Sequence, residues 1–196
     1  MRHTISPKKP DINFPLLVHR PQTSKHLIPI ARKTESGWEE VAVPAVMFRD
    51  WFPQFIEQFA AISRTSGRAR MSSNFKGAFE ASRRSERLHT LNACFADLDC
   101  YKVGKTSGQI VGELIDMEDR GELPPMSLML LSGRGVWPMW FLRDKQHTGP
   151  VVSWRENVQL YNQLQKHITQ KLAHMGADDC SRDAARVARI PGTLNS

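Results

Sequence analysis

From Leu91 onward the apolar residues change spacing repeatedly, and this constrains the fold more than any other feature of the chain. LNACFADLD (91–99) reads as a buried strand. SGQIVGELIDMEDRGEL (107–123) reads as a helix with Ile110, Val111, Leu114, Ile115 and Met117 on one side. MSLMLLS (126–132) and VWPMWFLR (136–143) read as strands flanking a glycine turn, with Pro138 pointing to an edge strand or a bulge. WRENVQLYNQLQKHITQKLAHM (154–175) reads as a long helix with Val158, Tyr161, Leu164, Ile168 and Leu172 facing inward, and ARVARIP (185–191) as a closing strand. The order strand, helix, strand, strand, helix, strand is the split βαβ of ferredoxin-like and RRM-like domains, an α+β class. That topology hosts many functions, so it selects none by itself.

Residues 1–90 are expected to form an N-terminal α/β extension packing on a core at 91–196, the two making one compact unit. Within the extension, 1–44 is rich in proline and polar residues and reads as an irregular arm with one or two short strands around LLVH (16–19) and HLIPIA (26–31). Residues 45–63 place Phe48, Trp51, Phe52, Phe55, Phe59 and Ile62 at helical spacing, with Pro53 near the first turn, where the missing N–H is tolerated. Residues 64–77 read as a basic, glycine-punctuated loop and 78–88 as a short helix.

With 196 residues and 40% hydrophobic composition the chain can bury one good core. No apolar run approaches the ~18 residues of a membrane span, and no apolar stretch follows the basic N-terminus, so a cytoplasmic location without membrane partners is expected. Cys94, Cys100 and Cys180 form no CxxC pair and read as free thiols. The net charge of +7 suits a polyanionic partner. Much of it lies in one stretch, Arg64, Arg68, Arg70, Lys76, Arg83, Arg84 and Arg87, against only Glu80 and Glu86. This is either a solvated surface or a track for a nucleic-acid backbone.

Three segments carry candidate chemistry. In FADLDCY, Asp97 and Asp99 are two apart on a strand, so both leave the same face and form a site for hard divalent cations such as Mg²⁺ or Mn²⁺. Taken alone, the pair could equally cap a turn. In LLSGRGVWPMW, the glycine turn frees backbone N–H groups while Ser132 and Arg134 add a hydroxyl and a guanidinium, a combination that can cradle a triphosphate. Taken alone, it is an ordinary hairpin turn. GADDCSRDAARVARIPGTLNS offers Asp178, Asp179 and Asp183, then Arg186, Arg189 and Asn195. In an RRM-like sheet all three segments converge on one face.

In this order the three segments resemble the archaeo-eukaryotic primase superfamily, in particular the primase-polymerases of plasmids, phages and other mobile elements. FADLD matches the first motif, SGRGVW the second, and Asp178 with ARIPGTLN the third, covering about residues 91–195. The resemblance implies a nucleotidyl transferase, a DNA primase or DNA polymerase, in which Asp97, Asp99 and Asp178 hold two Mg²⁺ or Mn²⁺ ions. Asp178 is preferred to Asp179 because it follows Gly176-Ala177, where the family has a hydrophobic-Asp pair. Ser132, Arg134 and Gly135 would meet the triphosphate, with Arg186 and Arg189 supplying charge and Asn195 contacting sugar or phosphate. Asp183 is expected to orient Arg186. The chain departs from the family at Trp137, where the second motif often has a histidine; its role would pass to Arg134 or to stacking on Trp137. Implied partners are single-stranded DNA template on the 64–87 segment, nucleoside triphosphates, and a helicase domain or protein.

Other classes fit less well. Glu86 precedes the Asp pair as a Toprim glutamate would, but lies among arginines without an apolar strand. No GxxxxGK[ST] is present, and neither Tyr101 nor Tyr161 has the His-x-His pair of a rolling-circle nickase nearby. The non-enzymatic alternative is an RRM-like nucleic-acid-binding or replication-initiator module, against which stand two aspartates where such modules present aromatics. Because Ser196 follows directly on the third motif, the sequence is expected to be a domain of a longer protein.

Overall fold

The computed structural model describes residues 11–23, 26–34, 37–62, 69–72, 88–145, 149–182, 184 and 187–191, excepting the side chains of 31–34, 37–40, 55–62, 69–72, 181 and 187–189. The N-terminal segment is more regular than its composition implies. α1 (Asn13–His19) is followed by β1 (Leu27–Thr34) and β2 (Gly37–Pro44), which pair as an antiparallel hairpin from Leu27↔Pro44 to Thr34↔Gly37. Thus LLVH lies in a helix, because Phe14, Val18 and His19 bury one helical face. α2 (Ala45–Ile62) has the expected helical spacing, with Phe48 and Phe52 buried and stacked at 5.2 Å. Pro53 lies in its middle rather than its first turn, since the helix begins at Ala45, directly after the strand. A proline there removes one backbone hydrogen bond from the helix. Within the stretch expected to be a basic loop, β3 (Ala69–Ser72) pairs with β1. The short helix expected at 78–88 falls outside the described residues but for Leu88.

In the core, the expected first strand is split. β4 (Thr90–Leu91) pairs with β8 (Val151–Val152), and β5 (Ala93–Phe95) with β7 (Val136–Phe141). The break is Asn92, fully buried, whose amide meets Thr90 Oγ1 (2.9 Å) and His19 Nδ1 (3.1 Å). β6 (Leu128–Leu131) completes a three-stranded antiparallel sheet in the order β5-β7-β6. β7 is therefore central, and Pro138, which pointed to an edge or a bulge, marks neither, since the register runs unbroken from Ala93↔Phe141 to Leu98↔Val136. The proline is accommodated where the β5–β7 ladder lapses: Ala96 N donates to Pro138 O (3.2 Å), and Pro138 has no N–H to return. Pairing resumes at Leu98.

α3 (Ser107–Asp119), held by a Thr106–Gln109 capping box, and α4 (Arg155–Lys171) cover one sheet face. That side buries Cys94, Leu98, Val136 and Trp140 against Ile110, Leu114, Tyr161 and Ile168. Ile115 and Leu164, expected inside, are exposed. On α4 the inward position belongs to Gln165, fully buried, whose Oε1 accepts from Phe95 N (3.2 Å) and whose Nε2 donates to Phe95 O. The side chain satisfies the outer edge of β5 as a neighbouring strand would.

The opposite sheet face carries Phe95, Leu130, Trp137 and Met139. It packs on Phe14, Val18, Ile28, Ile30, Val43, Phe48 and Phe52 from the N-terminal elements, so one apolar layer joins the two halves. The closing strand β9 (Val187–Arg189) exists, but it pairs with β3 in a second sheet of order β2-β1-β3-β9. It does not lie beside β5, whose outer edge is met by Gln165; past the end of β5, residues 176–178 join the sheet through the single bridge Leu98↔Ala177.

Where the halves meet, Arg20 Nη2 donates to the carbonyls of Asn92 (2.6 Å) and Leu142 (2.8 Å), with the guanidinium 5.0 Å from the Phe141 ring centre. Nearby, His19, His26 and His89 line a small cavity. Burial, and then the adjacent His89, hold the His26 imidazole below its ordinary value of 6.5. The folded chain therefore keeps His26 neutral at a pH where the unfolded chain already binds a proton, and stability is lost as pH falls from about 6.5 towards the folded value. Melting curves should show a lower midpoint at pH 5.5 than at pH 7.5, and His26→Gln should flatten that difference. An unchanged slope in the variant would exclude His26 as a contributor.

Candidate functional site

Asp97, Asp99, Asp178 and Ser132 gather around Leu98, whereas Arg189 lies on β9 in the other sheet. The Leu98 side chain is fully buried on the helical side of the sheet, which sends Asp97 and Asp99 to the other face. Its backbone is bonded on both edges. Leu98 and Val136 exchange two hydrogen bonds of 3.0 Å. On the other edge Asp178 N donates to Asp97 O (2.9 Å) and Asp99 N to Gly176 O (3.0 Å).

Extending this register by one residue each way gives two cross-strand rows on the aspartate face. Asp178, Asp97, Trp137 and Leu130 form one; Gly176, Asp99, Gly135 and Ser132 form the other. The three segments singled out in the sequence are therefore neighbours, and Asp178, rather than Asp179, lies opposite Asp97. Asp179 instead pairs with Arg182 (3.1 Å), while Asp178 Oδ1 accepts from Cys180 N (3.0 Å).

Both glycines of the second row are required by close approach. A Cβ on Gly135 would lie 2.5 Å from the Leu98 carbonyl oxygen and 3.2 Å from Ser132 Oγ. One on Gly176, whose φ is +82°, would lie 2.7 Å from the Asp99 carbonyl oxygen. Without side chains at these positions, the row carries no side chain between Asp99 and Ser132, at Gly135, or beyond Asp99, at Gly176. The turn itself depends on Gly133 at φ +94°, with Ser132 N donating to Gly135 O (3.0 Å) and Arg134 exposed.

Trp137 is not available for stacking on a nucleotide. It is buried and lies parallel to Phe95, ring centres 5.3 Å apart and planes 9° from parallel, within the layer joining the two halves. It walls the apolar side of Asp97.

Asp99 has a partner that the motifs did not reveal. Lys102 Nζ lies 2.7 Å from Asp99 Oδ2, and this contact, with a smaller contribution from Asp178, raises the ammonium above its ordinary range. The only signal in the sequence is a lysine three residues after the second aspartate. Gln165 was likewise missed, because a glutamine in a helical repeat reads as exposed.

Carboxylate oxygens sharing one face are the donor set that a hard divalent cation takes, so the residue types fit such an ion. As placed, with Asp99 held by Lys102, no group of three His, Cys, Asp or Glu side chains among the described residues closes into a cage. Asp183, Arg186 and Asn195 fall outside the described residues, as do Arg64, Arg68, Lys76, Arg83 and Arg84 in the basic segment. For Arg70 and Arg189 the backbone is described: the two are direct register partners across β3 and β9. Burial pushes the Cys94 thiol up to about 12, which keeps it protonated and unreactive.

No known family profile matches the chain. It is 30% identical over 118 residues to a replication protein of Clostridium perfringens, a match taking in 60% of this chain and 27% of that protein. The chain thus spans little more than a quarter of the length of that curated relative. Among solved structures it superposes on the crystal structure of primase RepB′ with a TM-score of 0.51. The two share a fold. Identity between them is 14%, and the superposition covers 94% of this chain and 49% of the other. That fold is a mixed α+β arrangement with small antiparallel sheets. Among the described residues, no helix is long and apolar enough to cross a membrane.

The two glycines should differ in cost from the turn glycine. Gly133→Ala meets no atom within 4 Å and carries only the backbone penalty, about 1–2 kcal/mol. Gly176→Ala adds the clash with Asp99, about 1–3 kcal/mol more. Denaturant unfolding of both variants tests this ranking, and equal losses would contradict it.

Proposed function

We propose that the chain is the catalytic core of a metal-dependent nucleotidyl transferase of the primase-polymerase type, akin to the archaeo-eukaryotic primases of mobile elements. It would make or extend primers on single-stranded DNA. The observation that carries this reading is the pair of cross-strand rows, which bring Asp97, Asp99 and Asp178 onto one face beside the Ser132 turn. Shared fold with primase RepB′ and sequence similarity to a replication protein support it.

Asp97, Asp99 and Asp178 are the proposed carboxylate ligands. Divalent ions, when bound, supply activation of an attacking hydroxyl and neutralise charge on the leaving pyrophosphate. Ser132 sits across Gly135 from Asp99 and Arg134 is exposed on the same turn, where they would receive the triphosphate. Arg186 and Arg189 are assigned charge contacts with it, and Asn195 the sugar or a phosphate. The bonding of Leu98 on both edges fixes the carboxylates before substrate arrives, which is what alignment of a nucleotide and a 3′-hydroxyl demands. The segment containing Arg64, Arg68, Arg70, Lys76, Arg83 and Arg84 is assigned the template backbone.

The decisive assay combines single-stranded template, labelled nucleotides and Mn²⁺ or Mg²⁺, with and without primer. Asp97→Asn and Asp99→Asn should each lower incorporation by roughly 10²-fold or more while leaving DNA binding nearly intact. A wild-type chain that incorporates nothing, or variants that match it, would overturn the proposal. Binding without incorporation would place the chain among RRM-like binding modules. In the same binding assay, affinity should fall with rising salt, and Arg83→Ala or Arg84→Ala should each reduce the log–log slope by about 0.7. A slope unchanged in both variants would remove these arginines from the template path.

A further inference from the structure

Lys102 is placed differently from the basic residue that follows it. Lys105 is committed to Glu113 on α3 at 2.7 Å, away from the aspartate face. Lys102 instead points back to the Asp pair. The backbone between them is tight: Lys102 N donates to Asp99 O (2.9 Å), and the turn ends at Gly104 with φ +67°, whose N–H bonds back to it. The lysine therefore stays beside the carboxylate whatever its side chain does. That side chain is half exposed, so it can swing into water at small cost, whereas the Asp99 side chain is three-quarters buried. Asp178, in the neighbouring row, also favours the charged ammonium.

A single positive charge thus stands against Asp99, where the proposed function requires a divalent ion. A divalent ion bound at Asp99 Oδ2 would sit directly beside the ammonium there, and the two positive charges would repel. We propose that Lys102 is a built-in counter-ion that occupies Asp99 when no divalent cation is bound and must leave it for one to enter, setting the metal concentration at which the site fills. The inference rests on reading Asp97, Asp99 and Asp178 as metal carboxylates. In the ion-free chain the lysine neutralises Asp99, limiting repulsion with Asp97 and Asp178. On release, its ammonium remains tethered a turn away from the site.

The test is Mn²⁺ binding to the intact chain without nucleotide, followed by the electron paramagnetic resonance signal of free Mn²⁺. Lys102→Met should bind Mn²⁺ about three- to tenfold more tightly than wild type, and Lys102→Arg, which keeps the charge, should stay close to wild type. The gain should vanish in Lys102→Met combined with Asp99→Asn. Thermal melting without metal checks that each variant is folded. If Asp99→Asn weakens Mn²⁺ binding but Lys102→Met binds no more tightly than wild type, the lysine does not compete and this inference fails alone. If neither wild type nor Lys102→Met binds Mn²⁺ in an Asp99-dependent way, the metal-site reading fails and takes the inference with it.

Discussion

The backbone of Leu98 is hydrogen-bonded through both of its strand edges, to Val136 on one side and, through its two neighbours, to residues 176–178 on the other. The isobutyl group is fully buried among the helices, so the residue can neither rotate nor slip by one position without exposing itself. Everything proposed for the site follows from that immobility. Asp97 and Asp99 share a face because Leu98 occupies the other, and Asp178 and Ser132 take their places by register. The glycines at 135 and 176 are the local condition for it, since the flanking segments must approach the Leu98 and Asp99 carbonyls more closely than a Cβ allows.

How much of this was legible depends on the range of the interaction. Period is local, so α3, β6, β7 and the two-residue spacing of the aspartates could be read directly. Long-range pairing could not. ARVARIP has the composition of a strand, but nothing in it says that β3, rather than β5, is its partner. Pro138 argued for an edge or a bulge because proline lacks an N–H; the ladder instead lapses at Ala96 and leaves the strand central and in register. Gln165 and Leu164 exchanged places because the free edge of β5 demands two hydrogen bonds, a requirement that outweighs the burial of one leucine. Of the site, the spacing of Asp97 and Asp99 was readable, whereas Lys102 belongs to a turn whose geometry no motif encodes.

The second feature that shapes the site is the apolar layer between the halves. A sheet of this topology has one face for its helices and one to spare. Here the spare face is covered by α1, β1, β2 and α2 as far as Phe95 and Trp137. The aspartates lie just past that cover, with a stacked aromatic pair on one side and charged segments on the other. Such a boundary lowers the local dielectric beside the carboxylates without removing them from water, strengthening their interaction with any cation that reaches them.

The pairing of β9 with β3 ties the two halves together as well. The sheet of β2, β1 and β3 receives its fourth strand from a segment that follows the whole core, and Asp11 N bonds to Pro191 O at the same seam. During synthesis the amino-terminal sheet must wait with an open edge until almost the entire site has been made. Contacts so distant in sequence form slowly, because the intervening loop must close first. The same late stretch of chain supplies both β9 and the residues 176–178 that flank Leu98, so neither the first sheet nor the aspartate rows can be completed before it has been made.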